Sequence, residues 1–85
     1  MHIQTRTEVA LQFAAQKIDK EEFIKQFFAI PETIVHFDDE REAYFDGPAG
    51  NTTATVMYEV STKFGTEVAE HIANIVDAHE DAQHQ

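Results

Sequence analysis

The spacing of apolar side chains divides this chain at Pro31, helical before it and alternating after it. Thr5 predicts the start of a first helix, its hydroxyl as cap and Glu8 three residues on to complete a capping box. Ala10, Leu11, Ala14 and Ile18 then fall on one stripe flanked by Phe13 and Ala15, an apolar arc wide enough for contact from more than one side. Asp19 predicts a second cap, Glu22 is its N3 partner, and Ile18 with Phe23 fits a hydrophobic staple. Phe23, Ile24, Phe27 and Phe28 follow at helical spacing, and Pro31 ends this helix after Ile30. Two helices with so short a link must turn sharply.

Beyond Pro31, Thr33–Phe37 and Glu42–Asp46 read as strands joined by the polar turn Asp38-Asp39-Glu40-Arg41. The segment Asp46–Asn51 carries Gly47, Pro48 and Gly50 and reads as a loop. In Thr52–Val60, Ala54, Val56, Tyr58 and Val60 alternate with Thr53, Thr55, Met57 and Glu59, which predicts a third and strongest strand. A last helix is expected from Ser61 or Thr66 to about Asp81, with Val68, Ile72, Ile75 and Val76 as its apolar stripe, His79 close to that line, and residues 82–85 frayed. The simplest assembly is an α+β fold of order ααβββα, a three-stranded antiparallel meander with helices packed on one face. A chain of 85 residues is expected to form one domain, 1–85, helical over 1–30 and sheet plus helix over 31–81. A domain this small buries only about 60–65% of its unfolded surface, so its stability is marginal.

Charge follows the same division. Residues 1–30 balance Glu8, Asp19, Glu21 and Glu22 against Arg6, Lys17, Lys20 and Lys25. Residues 31–85 set twelve acids against Arg41 and Lys63, so the formal net charge of −10 belongs to this part. Net charge acts on association and solubility rather than on fold, so the asymmetry speaks to partners. The absence of Cys removes disulfides and thiolate metal sites and favours a cytoplasmic protein. The opening Met1-His2-Ile3-Gln4-Thr5-Arg6 has no apolar run behind its charge and does not fit a signal peptide. The longest apolar stretch, Phe27 to Ile30, is too short to span a membrane. A hydrophobic fraction of 42%, with seven Phe, argues against a disordered acidic tail.

Two acidic segments are the candidate chemistry. Glu67, Glu70, Asp77 and Asp81 are expected opposite the apolar stripe of the last helix, with no Lys or Arg after Lys63 to pair with them. Like-charge neighbours on a helix cost roughly 0.2–0.5 kcal/mol each, and Asp77, Glu80 and Asp81 also lie at the negative end of the helix dipole. Asp38, Asp39, Glu40 and Glu42 gather at the turn, with Asp46 on the adjoining strand. The bland reading is solvated charge that confers solubility. The functional reading is a partner-binding surface formed by Asp38, Asp39, Glu40, Glu42, Asp46, Glu67, Glu70, Asp77 and Asp81. Rows of carboxylates can imitate the DNA phosphates that a nucleic-acid-binding protein meets with Lys and Arg.

Other chemistries have less to stand on. The acids of Asp38–Asp46 lack the glycine and bidentate Glu positions of a calcium loop. His2, His36, His71, His79 and His84 are scattered, no HExxH pair is present, and His36 and His79 read as packed rather than ligating. Ser61 is the only serine and sits where a helix cap is expected, and no glycine loop suits a phosphate. No catalytic residue, cofactor or metal is therefore assigned. Direct nucleic-acid binding conflicts with the charge, and a helix-turn-helix would have to open its second helix with Lys20-Glu21-Glu22. Asn51-Thr52-Thr53 matches a glycosylation sequon, which has no bearing without secretion. Phe13, Phe23, Phe27 and Phe28 read as core, with some surplus for contact with a second copy. The expectation is a non-enzymatic acidic module, an inhibitor or regulator that engages the basic, nucleic-acid-binding surface of another protein. Its charge and size resemble those of small DNA mimics from phages and mobile elements, an analogy of charge and size alone. The alternative is a homo-oligomeric accessory protein joined through its Phe-rich helix, with acidity serving solubility.

Overall fold

Each N-terminal helix starts where a capping side chain can reach back. The computed structural model describes residues 4–83. Helix α1 (Arg6–Ala14) opens on Thr5, whose Oγ1 accepts from the Glu8 N–H at 3.2 Å. Helix α2 (Lys20–Ala29) opens on Asp19, whose carboxylate accepts from the Glu22 N–H at 2.8 Å. Such caps satisfy donors that have no intrahelical partner. The first helix stops earlier than its apolar stripe suggests. Gln16 takes a left-handed φ of 64°, the Lys17 N–H donates to the Gln12 carbonyl, and the Gln16 N–H donates to that of Phe13. That pair of bonds closes a Schellman motif without the usual glycine. Ile18 then lies in the link between the helices, packed against the core.

The third strand expected over Thr52–Val60 does not exist, and with it goes the ααβββα meander. Among the described residues the chain forms four α-helices and a two-stranded sheet. Thr53–Phe64 is helix α3, capped by Thr52, whose Oγ1 accepts from the Thr55 N–H at 3.2 Å. The correction has a packing cause. Val56 and Val60 are apolar at both i, i+2 multiples and i, i+4, so alternation and helical period both fit them. The helix buries both completely against α1 and α4 and leaves Tyr58, which a strand would align with them, exposed. Burial of each valine contributes roughly 1.5–3 kcal/mol, enough to override the β-branched preference of the segment.

Helix α4 (Thr66–Gln83) follows after Gly65 alone. Gly65 adopts φ 100°, ψ 159°, a conformation open essentially to glycine, and its N–H donates to the Ser61 carbonyl while its own carbonyl accepts from Ala69 N–H. Of the residues expected to fray, Ala82 and Gln83 are helical, and 84–85 lie outside the described residues, as do 1–3 with His2.

The core is drawn from all four helices: Val9 and Ala10, Phe23 and Phe27, Val56 and Val60, Ala69, Ile72 and Ile75. The helices therefore pack on one another, not on a face of a sheet. A buried polar knot fixes their ends. The Asn51 side chain, in a single 3₁₀ turn (Ala49–Asn51), accepts from the Arg6 N–H at 2.7 Å, and Thr7 Oγ1 donates to the Gly50 carbonyl. The Arg6 side chain crosses to α2, donating from Nε to the Ile30 carbonyl at 2.8 Å with its guanidinium 4.4 Å from the Phe27 ring centroid. Burial lowers the Arg6 pKa, and the nearby charges of Glu32 and Glu80 oppose that shift.

Strands β1 (Val35–Phe37) and β2 (Ala43–Phe45) pair antiparallel with His36 opposite Tyr44. Both are shorter than predicted because their outer residues serve other ends: Thr33 is buried and donates its N–H to the Asn51 carbonyl.

Candidate docking surface on the hairpin

Among the described residues, the hydrogen bonds that tie the hairpin to the helical body lie at its base. Besides the Thr33–Asn51 bond, Thr53 Oγ1 donates to Glu32 Oε1 at 2.7 Å. Close approach favours glycine at Gly47, where a Cβ would lie 2.9 Å from Thr33 Oγ1 and force the buried threonine to shift. Beyond this base no layer of the described residues covers the strands. Alternation puts Val35, Phe37, Ala43 and Phe45 on one face and Ile34, His36, Tyr44 and Asp46 on the other. The first face is apolar and open to solvent, with Phe37 69% and Phe45 52% exposed. On the second, the His36 and Tyr44 rings stack at 5.2 Å. A two-stranded hairpin with no helix against it is marginal by itself, so local hydrogen bonds have to shape it.

Two of the predicted partner-binding acids do that shaping. Asp38 Oδ1 accepts from the N–H groups of Glu40 at 2.9 Å and Glu42 at 2.8 Å, and the Arg41 N–H donates to the Asp38 carbonyl. Arg41 takes a left-handed φ of 63°. The loop is thus a type I turn closed by a bulge whose left-handed position, usually glycine, holds arginine. Asp46 closes the other end: Oδ1 accepts from the Ile34 N–H at 2.8 Å and Oδ2 lies 3.1 Å from His36 Nε2. The hydrogen bond from His36, then that from Ile34, holds the Asp46 carboxyl below its ordinary pKa. His36 is therefore a surface partner of Asp46, not a packed core histidine. Asp39, Glu40 and Glu42 are left with exposed carboxylates at the tip.

The acids of α4 are all exposed, as expected, and among the described residues none pairs with a base. They are strung along the helix and not gathered: Glu67 and Asp81 are separated by about 21 Å at 1.5 Å per residue. Glu67 borders a cleft of about 530 Å³ beside the α1–α2 link, with Phe13, Ile18 and His71 among its walls. Near the opposite end of α4, the charge of Glu80 acts on Arg6, and His79 stacks on Phe28 at 4.2 Å. The α2 aromatics are taken up internally. Phe23 and Phe27 are buried, and Phe13 and Phe28 pack against the core. Among the described residues, the exposed Phe and Tyr side chains are Phe37, Tyr44 and Phe45 of the hairpin, with Tyr58 and Phe64 on α3.

Sequence reasoning located the carboxylates and missed the apolar face beside them. Its signal was present in the alternation of Val35 and Phe37, but an expected third strand and helix layer would have covered it. Asn51 escaped notice as a loop residue, yet it is buried with its side chain engaged, so the sequon it begins is inaccessible in the folded chain. Among the described residues no group of His, Asp and Glu could hold a metal ion, and no helix is long and apolar enough to cross a membrane. No family model matches the chain, and neither a curated protein nor a solved structure matches it.

Proposed function

We propose that this chain is a non-enzymatic binding module that docks through its hairpin on a basic surface of a partner protein. One observation carries the reading: large apolar side chains stand uncovered on the hairpin beside carboxylates that have no internal role. Apolar contact area supplies affinity, whereas Asp39, Glu40 and Glu42 supply orientation and a faster encounter with a positive site. A partner that uses Lys and Arg to hold nucleic-acid phosphates has the complementary charge, and occupation of its site would compete with the nucleic acid. The module then acts as an inhibitor or regulator, and a Cys-free chain suits a cytoplasmic setting.

The test is affinity purification from the native host with wild type and with the Asp39→Lys/Glu40→Lys variant, followed by mass spectrometry. The expected result is a nucleic-acid-binding protein enriched by wild type and lost with the variant. Equal recovery by both, or recovery of the bait alone, overturns the reading.

A further inference from the structure

The hairpin has unused main-chain bonding capacity as well as an uncovered face. In an antiparallel pair, ladder bonds fall on every second residue pair. The Asp38 N–H donates to the Glu42 carbonyl at 3.2 Å and the Asp46 N–H to that of Ile34 at 3.4 Å. The pair His36–Tyr44 between them belongs to the same bonded set. The N–H and C=O groups of Val35 and Phe37 consequently point away from β2, and among the described residues no further strand meets them. The same residues present their side chains on the open apolar face. An unpaired edge that carries apolar side chains is one that proteins ordinarily blunt or cover.

We propose that the outer edge of β1 receives an extended basic segment of a partner protein as an added third strand, a mode that rests on the binding role argued above. Main-chain bonds run to Val35 and Phe37. Alternate apolar side chains of the added strand extend the face of Val35, Phe37 and Phe45, and the Lys or Arg side chains between them meet the acids. Charge selects this occupant. Between Glu32 and Asp46 the hairpin carries Glu32, Asp38, Asp39, Glu40, Glu42 and Asp46 against Arg41 alone. A second copy fits poorly on the same ground, because it would bring the same excess of acids against this one. The β1 edge is preferred to that of β2 because Val35 and Phe37 favour extended structure and Ala43 does not.

The probe is a synthetic peptide of alternating lysine and valine, compared with the same peptide N-methylated on alternate amides and with an all-lysine peptide of equal length. Amide NMR of the intact chain reads out each titration. The alternating peptide is expected to shift and protect the Val35 and Phe37 amides, and N-methylation to weaken it by about tenfold or more through loss of the main-chain donors. Val35→Pro, which removes one outward N–H and no ladder bond, is expected to weaken it similarly while leaving the helical melting transition in place. If all three peptides bind equally and salt weakens them together, strand addition is overturned while the acidic binding role stands. Failure of every peptide to bind overturns both. Self-association of the free chain that Val35→Pro abolishes would make a second copy the occupant and overturn the proposal.

Discussion

Phe27 and Phe37 both sit in segments of alternating or periodic apolar spacing, and the structure treats them oppositely. Phe27 is 3% exposed, stacked under the Arg6 guanidinium among residues of four helices, whereas Phe37 is 69% exposed on the hairpin. The contrast shows two regions under different rules. In the helical body the apolar stripes pack into one core, and among the described residues every buried side-chain polar atom has a partner. In the hairpin, order comes from short-range hydrogen bonds by Asp38 and Asp46, and the apolar side chains contribute little to the fold that carries them.

The largest expected effect is the difference between the two regions on truncation. Phe23→Ala should destabilise the chain by roughly 3–5 kcal/mol, as for large-to-small changes in packed cores. Phe37→Ala should fall within about 0.5 kcal/mol of wild type, as for surface changes. Urea denaturation of both variants checks this, and a large loss in Phe37→Ala would mean that the hairpin face is covered. Asn51→Ala should come next, at roughly 1–3 kcal/mol, because it strands the buried Arg6 N–H. Gly65→Ala should cost a similar 1–3 kcal/mol (roughly), through backbone strain, since no atom beyond its chain neighbours lies within 4 Å of the added methyl group.

The two left-handed residues sharpen the comparison at smaller magnitude. Gln16→Gly, at the end of α1, should raise global stability by up to about 1 kcal/mol. Arg41→Gly relieves the same strain at the hairpin tip, yet should leave the global melting temperature unchanged and slow exchange only of hairpin amides. The smallest effect is the pH response of the hairpin base. Because the Asp46 carboxyl titrates below its ordinary range when folded, its contribution is complete above the unfolded value of about 3.9. The contribution is lost as pH falls through the lower folded value. Hairpin resonances of wild type should therefore broaden in acid before the helical ones, and those of Asp46→Asn should show no such step.

What was legible in the residues divides along the same line. Local devices were readable: Thr5 and Asp19 as caps, the turn at Asp38–Arg41, the stop at Pro31. Segment 52–60 was misread because its β-branched residues alternate, while the fact that makes it a helix, burial of Val56 and Val60 against α1, depends on distant packing. The knot of Arg6, Ile30 and Asn51 joins residues far apart in the chain, and no local pattern marks it. For the candidate site, charge is visible in any sequence, so the tip acids were found. Exposure of Val35, Phe37 and Phe45 follows from the absence of a covering layer, which only the fold reveals.

Native-state hydrogen exchange on the intact chain, with and without the alternating lysine–valine peptide, tests the central claim most directly. The Val35 and Phe37 amides should exchange nearly unprotected in the free chain and become protected on peptide addition, while the amides of Val56, Val60 and Ile72 stay unchanged. Strong protection of Val35 and Phe37 in the free chain, or none gained with the peptide, would contradict an open hairpin edge built for a partner strand.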